Sequence, residues 1–187
     1  MKKRLSVFAI AFCIFSFAKV FAVGVGPQVN VNPVIPIWGG VPSTWGLACA
    51  VKFDSNPFYW AFSLDSGSYT YEDKHGDKVH TAKNSIGITA DYHISEGKFS
   101  NIWGWYWGFG GALGAAFTSG EANFYTSAGA RIFYGMNWKF KDGFIELYAQ
   151  TAAQPEIGLA LGEDGTENGF IRPALYIPSN VGVRFWF

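Results

Sequence analysis

Charged side chains are scarce in this sequence. Asp, Glu, Lys and Arg together make up 15% of its 187 residues, whereas about 25% is usual in globular proteins. The formal net charge is zero, so the chain has no basic excess with which to bind nucleic acid. Aromatic side chains, in contrast, reach 19%. This balance argues against an ordinary water-soluble domain and against a nucleic-acid-binding protein.

The first 22 residues have the pattern of a secretory signal peptide. Residues 2–4 are basic, residues 5–18 form an apolar run, and Ala22 fits the small-residue pattern that precedes a cleavage point. The run is short for a membrane-spanning helix. We therefore predict a signal peptide at 1–22, cleaved near Ala22, and a single exported domain at 23–187.

Cysteines and long apolar runs are few as well. The sequence has two cysteines, and cleavage removes Cys13, so Cys49 has no partner for an intramolecular disulfide. An uncleaved anchor helix and a lipoprotein modified at Cys13 remain as less favoured alternatives. After residue 22, no stretch reaches the roughly 18 apolar residues of a transmembrane helix. An exported, aromatic-rich chain of this kind has one membrane-spanning structure left to it, a closed β-barrel.

Apolar residues recur at every second position, which is typical of strands rather than helices. One face of each segment lacks charge, and the other carries Gly, Ala, Ser and Tyr with about one charge per strand, which suits a narrow lumen. A soluble sandwich or lipocalin-like barrel is the alternative. We predict an all-β fold, an eight-stranded antiparallel transmembrane up-and-down β-barrel. The predicted strands are 22–32, 44–53, 58–66, 85–94, 101–117, 122–138, 143–151 and about 175–187.

The connections between these strands alternate in length. Outer-membrane barrels have short periplasmic turns and longer extracellular loops. We therefore expect the short connections at 54–57, 95–100 and 139–143 to face the periplasm. The hydrophilic segments 67–84 and 154–173 are predicted to be long extracellular loops.

Five charged residues are predicted to point into the lumen. A charge in a narrow interior must be paired, because losing one partner is strongly destabilising. We predict an ionic plug near the periplasmic end, with Arg131 closer to mid-barrel and bonded to Tyr148, Gln150 or a loop acid. A selectivity filter is the alternative reading. The predicted lumen cluster is Lys52, Asp91, Arg131, Glu146 and Arg184.

Aromatic residues gather near the predicted strand ends, as they do in girdles at the headgroup level of a membrane. The predicted girdle is Trp60, Tyr92, Trp103, Trp105 and Trp138. The segment 67–84 contains acids and two histidines, but their spacing matches no metal motif. We therefore predict no metal, no cofactor and no catalytic residue. His80 and Ser85 keep an outer-membrane lipid-modifying enzyme open as a second alternative.

The chain ends in VGVRFWF, with Val181, Val183, Phe185 and Phe187 on one face. With this ending and the eight predicted strands, the sequence resembles the small eight-stranded bacterial outer-membrane barrels of the OmpX, OmpW and OmpA-transmembrane type. The resemblance implies a monomer in outer-membrane lipid, delivered by periplasmic chaperones. It also implies that the four alternating residues are the signal read by the barrel-assembly machinery.

Together these expectations describe a structural or surface-interaction protein with a narrow, plugged lumen. Its partner would be a host or environmental ligand at loops 67–84 and 154–173. The alternative function is a narrow porin-like channel for small or hydrophobic solutes.

Overall fold

The computed structural model describes residues 22–36, 43–53, 55–72, 78–118, 124–161 and 170–187. The predicted signal peptide lies outside these residues, apart from Ala22, where the first strand begins. The described residues form almost only β-structure, with a short 3₁₀ turn at Lys141–Gly143. The strands are β1 Ala22–Asn32, β2 Val34–Pro36, β3 Thr44–Phe53, β4 Tyr59–Glu72, β5 Lys78–Lys98, β6 Trp103–Thr118, β7 Phe124–Phe140, β8 Ile145–Leu161, β9 Phe170–Tyr176 and β10 Ser179–Trp186.

These segments close into a barrel of eight antiparallel strands. Neighbouring strands follow chain order from β3 to β8, and β1 pairs with both β10 and β3. β8 pairs with β10 along one half of its length and with β9 along the other. β1 with β2 therefore forms the first barrel strand, and β9 with β10 forms the last. The predicted all-β, eight-stranded antiparallel barrel is confirmed.

Proline causes the breaks in the first and last barrel strands. Pro33 separates β1 from β2, and Pro178 lies between β9 and β10. Because proline has no N–H to donate, it interrupts a ladder. Backbone bonds bridge the breaks, from Ile177 N to Pro33 O at 2.9 Å and from Ala152 N to Pro178 O at 2.9 Å. The closing seam thus stays connected.

Both predicted long loops are wrong in extent. β4 continues to Glu72 and β5 begins at Lys78, so most of 67–84 is paired strand. β8 continues to Leu161 and β9 begins at Phe170, so much of 154–173 is strand as well. The hydrophilic composition misled the prediction, because a barrel wall that rises out of lipid meets water on both faces.

The turn predicted at 95–100 also starts later than expected. β5 runs to Lys98, and its pairing with β6 shifts between His93 and Ser95. This bulge inserts one residue, which reverses the faces of the strand beyond it. Glu96 and Lys98 therefore follow Asp91 and His93 on the lumen face.

The barrel has an apolar exterior and a polar interior. Large exposed side chains cover the outer wall, among them Leu47, Leu64, Leu113, Ile132 and Ile157. The buried polar residues are Gln28, Asn30, Thr44, Lys83, Asp91, Arg131, Glu146, Gln154, Asn180 and Arg184. This is the reverse of a water-soluble protein and is the arrangement of transmembrane barrels. Among the described residues, no helix has the length and hydropathy of a membrane-spanning segment.

Candidate functional site

The buried ion pairs of the described residues lie in the lumen. We call the end with the short connections around residues 55–58, 99–102 and 141–143 the turn end, and the opposite end the loop end. In the turn-end half lies an ion pair between Arg184 and Glu146, which face each other on β10 and β8. Arg184 Nη1 donates to Glu146 Oε2 at 2.8 Å, and both side chains are almost fully buried.

Glu146 has two further donors. Asn137 Nδ2 donates to its Oε1 at 2.6 Å, and Trp186 Nε1 donates to its Oε2 at 2.8 Å. A buried carboxylate is tolerated when it is paired and its remaining acceptor sites are used. The three donors come from β7 and β10, so this one carboxylate ties both neighbouring strands to β8.

The Arg184 guanidinium also lies against aromatic rings. Its central carbon is 4.1 Å from the ring centre of Tyr148 and 4.9 Å from that of Tyr59. Cation–π contacts of this kind are stronger when desolvated. Tyr148 is on β8 and Tyr59 on β4, so Arg184 fills the space between distant parts of the wall.

The second ion pair joins Asp91 on β5 to Arg131 on β7. Arg131 Nε lies 3.0 Å from Asp91 Oδ1, although the N–H does not point at the oxygen and the contact is not a hydrogen bond. Gln150 Nε2, from β8, donates to the other carboxylate oxygen at 2.7 Å. Arg131 was predicted to bond Tyr148, Gln150 or a loop acid. That prediction is wrong, because its partner is Asp91.

Gly110 makes the second pair possible. In register, Gly110 of β6 lies between Asp91 and Arg131. A Cβ atom there would come within 2.4 Å of Asp91 Oδ1. The missing side chain thus opens the path over which two residues on non-adjacent strands meet.

Lys52 does not join either pair. Its Nζ donates to the carbonyl oxygen of Phe53 at 2.8 Å and to that of Asn56. Lys52 therefore caps the turn after β3. The structure brings four of the five predicted lumen residues into two ion pairs and places the fifth at the barrel mouth.

An aromatic stack lies next to the ion pairs; the alternation of the strands places its residues on the lumen face, but nothing in the sequence predicts that they stack. The His93 ring lies between those of Tyr59 and Tyr106, with centroid distances of 3.9 and 4.4 Å. His93 Nδ1 is 2.7 Å from Glu96 Oε1, which the β5 bulge brings inward. The stack crosses β4, β5 and β6, and with the ion pairs it fills the turn-end half of the lumen.

Space remains on each side of the charged layer, by which we mean Asp91, Arg131, Glu146, Gln150 and Arg184. A cavity of about 100 Å³ lies on the loop-end side and includes Arg131 in its lining. A second cavity, of about 300 Å³, lies at the turn end and is lined by Glu96, Lys98 and Lys139.

The predicted girdle residues lie in the turn-end half of the barrel. The rings of Trp103 and Trp138 stack at 6.1 Å between centroids. Tyr92 lies 5.8 Å from Phe58, which also contacts Trp60 at 6.3 Å. The fifth predicted residue, Trp105, lies over Gly97.

The terminal segment forms part of a strand with neighbours on both sides. Val181 pairs with Val29 of β1 and with Ala149 of β8, and Phe185 pairs with Val25 and Ile145. Val183 faces Leu147 on β8. Phe187 follows β10, is 49% exposed, and packs edge-on against Phe144 at 5.9 Å.

The acidic and histidine side chains of segment 67–84 form no metal site among the described residues. Residues 73–77 lie outside the described part of the chain, and His80 lies on β5. Within the described ranges, no group of three or more His, Cys, Asp or Glu side chains is placed to hold a metal ion.

The solved structures that resemble this chain share little sequence with it. No protein-family model and no curated protein matches the chain. The N-terminal β-barrel domain of Pseudomonas aeruginosa OprF is 15% identical, covers 88% of this chain and 99% of its own, and has a TM-score of 0.40. Ail, the attachment invasion locus protein of Yersinia pestis, solved with the heparin analogue sucrose octasulfate, is 12% identical over 88% and 98% of the two chains, with a TM-score of 0.42.

A major outer membrane protein of Thermus thermophilus is 8% identical over 87% of this chain and 99% of its own, with a TM-score of 0.30. The assignment of the fold rests on the closure of eight strands and on the apolar exterior and polar interior of the barrel. The chain has the fold of the small eight-stranded outer-membrane barrels.

Proposed function

We propose that this protein is an integral outer-membrane β-barrel with a closed lumen that serves as a structural and surface-interaction protein. The observation that carries the closed lumen is the charged layer. Asp91 forms an ion pair with Arg131 on β7 and accepts a hydrogen bond from Gln150 on β8, and so links β5 to the far side of the barrel. A channel filter favours one sign of charge, whereas this layer contains two acids and two arginines.

The outer wall supports a membrane location. Its exposed side chains are aliphatic and aromatic along β3 to β8. Burial in lipid removes this surface from water, which stabilises the barrel by about 25 cal/mol for each Å². In water, an exposed apolar surface of this extent would instead favour aggregation.

The length of the strands supports a surface role. β5 has 21 residues and β8 has 17, whereas about 9–11 tilted residues span a membrane. Several residues of each strand therefore extend the wall beyond the lipid at the loop end. Such a wall offers a ligand a rigid surface of paired strands, in addition to the connecting loops predicted from the sequence.

Conductance tests the closed lumen directly. The purified protein, folded in detergent and inserted into planar bilayers, is expected to show little current. Glu146→Ala removes the acceptor of three side-chain donors and should raise the open probability or the conductance. Asp142→Asn, in the exposed turn Lys141–Gly143, is the control and should leave the current near the wild-type level. Large steady currents in the wild type would contradict the closed lumen.

A narrow channel for small solutes is the second candidate, favoured by the cavities on both sides of the charged layer. Liposome swelling separates the two functions. A channel predicts swelling in solutes of increasing size up to a cut-off, and a closed barrel predicts none. Either result leaves the membrane-barrel assignment intact, since heat-modifiable gel migration tests that assignment separately.

A further inference from the structure

We propose that the loop-end half of the lumen is a binding chamber for a small polar solute that carries an ammonium group and an oxygen acceptor or hydroxyl. The chamber is the cavity of about 100 Å³ above the charged layer. A space of this size holds several water molecules or one solute of similar total volume.

Small side chains create the space. On β5, the lumen positions between Lys83 and Asp91 are Ser85, Gly87 and Thr89, all of which line the chamber. Large residues at these positions would fill the lumen, as Tyr106 does nearer the turn end. The chamber is therefore a consequence of residue size and not of a gap in the wall.

Both ends of the chamber are defined by buried cations. Arg131, paired with Asp91, is in the lining at the level of the charged layer. At the loop end, the side chain of Lys83 crosses from β5 toward β9, where its Nζ is 3.4 Å from Tyr176 Oη. The same Nζ lies 5.1 Å from the ring centre of Tyr125. Lys83 thus covers the chamber from the loop-end side.

Arg131 and Gln154, both in the lining, each have a buried polar atom without a hydrogen-bond partner among the residues that the structure describes. Arg131 Nη2 is a donor and Gln154 Oε1 is an acceptor, and each is shielded from solvent without a hydrogen bond. The parent residues are only 3% and 8% exposed. Leaving such groups unpaired costs about 1–3 kcal/mol each, so a bound molecule that offers an oxygen to Arg131 and an N–H to Gln154 gains from both.

The net charge of the lining favours a solute with an ammonium group. Four charged residues line the chamber, namely Asp65, Glu156, Lys83 and Arg131. Asp91 neutralises Arg131, which leaves two carboxylates against one ammonium. Asp65 accepts from Ser63 at 2.7 Å and Glu156 from Ser127, and within the described part of the chain neither carboxylate has an ion pair. A cation that enters the chamber would balance this excess.

Ethanolamine is a suitable probe, because it has one ammonium, one hydroxyl and four heavy atoms. We expect saturable binding by isothermal titration calorimetry to the full detergent-folded barrel in amine-free buffer. Ethylene glycol has the same number of heavy atoms without the charge, and acetate has the opposite charge. Both should bind at least tenfold more weakly. Equal binding of ethylene glycol, or no binding of ethanolamine to the folded wild type, would overturn the proposal.

A matched pair of variants tests whether the chamber is the binding site. Glu156→Gln keeps the shape of the side chain and removes its charge, and should weaken ethanolamine binding at least tenfold. Glu96→Gln removes a carboxylate at the turn end, outside the chamber, and should leave binding unchanged. Ala112→Leu fills the chamber from β6 and should also weaken binding. Heat-modifiable migration establishes folding for each variant, and equal weakening by both Gln variants would refute the location.

Discussion

Asp91 and Arg131 lie on β5 and β7, which are not paired with each other, yet Arg131 Nε is 3.0 Å from Asp91 Oδ1. The pair meets over Gly110, which is the register partner of both residues. Gly182, a second lumen glycine, also lets two side chains from its neighbouring strands meet across it. Tyr148 Oη donates to Gln28 Oε1 at 2.7 Å across Gly182, where a Cβ atom would come within 2.5 Å of that hydroxyl.

The first prediction concerns this glycine. Gly110→Ala places a methyl group against Asp91 Oδ1 and the backbone of Ala90, and should destabilise the folded barrel by about 2 kcal/mol or more, because it displaces a buried ion pair. The measurement is the midpoint of urea unfolding in lipid vesicles. Gly111→Ala is the control, since a Cβ there meets its nearest atom at an ordinary 3.7 Å. Equal midpoints for the two variants would contradict the role of Gly110.

The second prediction concerns the pair formed by Glu146 and Arg184. Arg184→Met leaves Glu146 buried with its charge uncompensated, and breaking such a pair costs about 3–5 kcal/mol. Glu146→Gln should cost a similar amount. The double variant should be more stable than the less stable single variant, since no lone charge of this pair remains. A double-mutant cycle by urea unfolding checks this, and strictly additive losses would show that the pair is not coupled.

The third prediction concerns the last strand. Removing Phe187 should reduce the fraction of protein that reaches the folded, heat-modifiable form in membranes, without lowering synthesis or export. Phe140→Ala is the control, because Phe140 is an exposed aromatic residue at the end of β7, an internal strand. If the Phe187 deletion assembles as well as the control, the terminal residues are not an assembly signal.

The fourth prediction concerns orientation. The loop end is expected to face outward and the turn end to face the periplasm. In a Cys49→Ser background, Ala82→Cys on the loop-end part of β5 should react on intact cells with a membrane-impermeant maleimide. Asn101→Cys in the exposed turn before β6 should react only after lysis. The reverse pattern would invert the proposed topology.

The period of two was sufficient to predict the barrel and the faces of its strands. Asp91, Arg131, Glu146 and Arg184 were placed in the lumen because they are the charges on the face opposite the apolar residues. Alternation has this power because a strand directs successive side chains to opposite sides. The extents of β4, β5 and β8 escaped prediction, since hydrophilic residues outside the membrane are compatible with either a loop or a strand.

The sequence by itself determined an apolar outer face, a polar inner face and the residues able to carry charge inside. Only the tertiary structure decided that Arg131 meets Asp91, that Lys52 caps a turn, and that Lys83 reaches Tyr176 on the far wall. The reason is physical. Which face a residue occupies follows from its own position in a strand, whereas partners across a lumen depend on register and closure, which are set by backbone pairing along the whole wall.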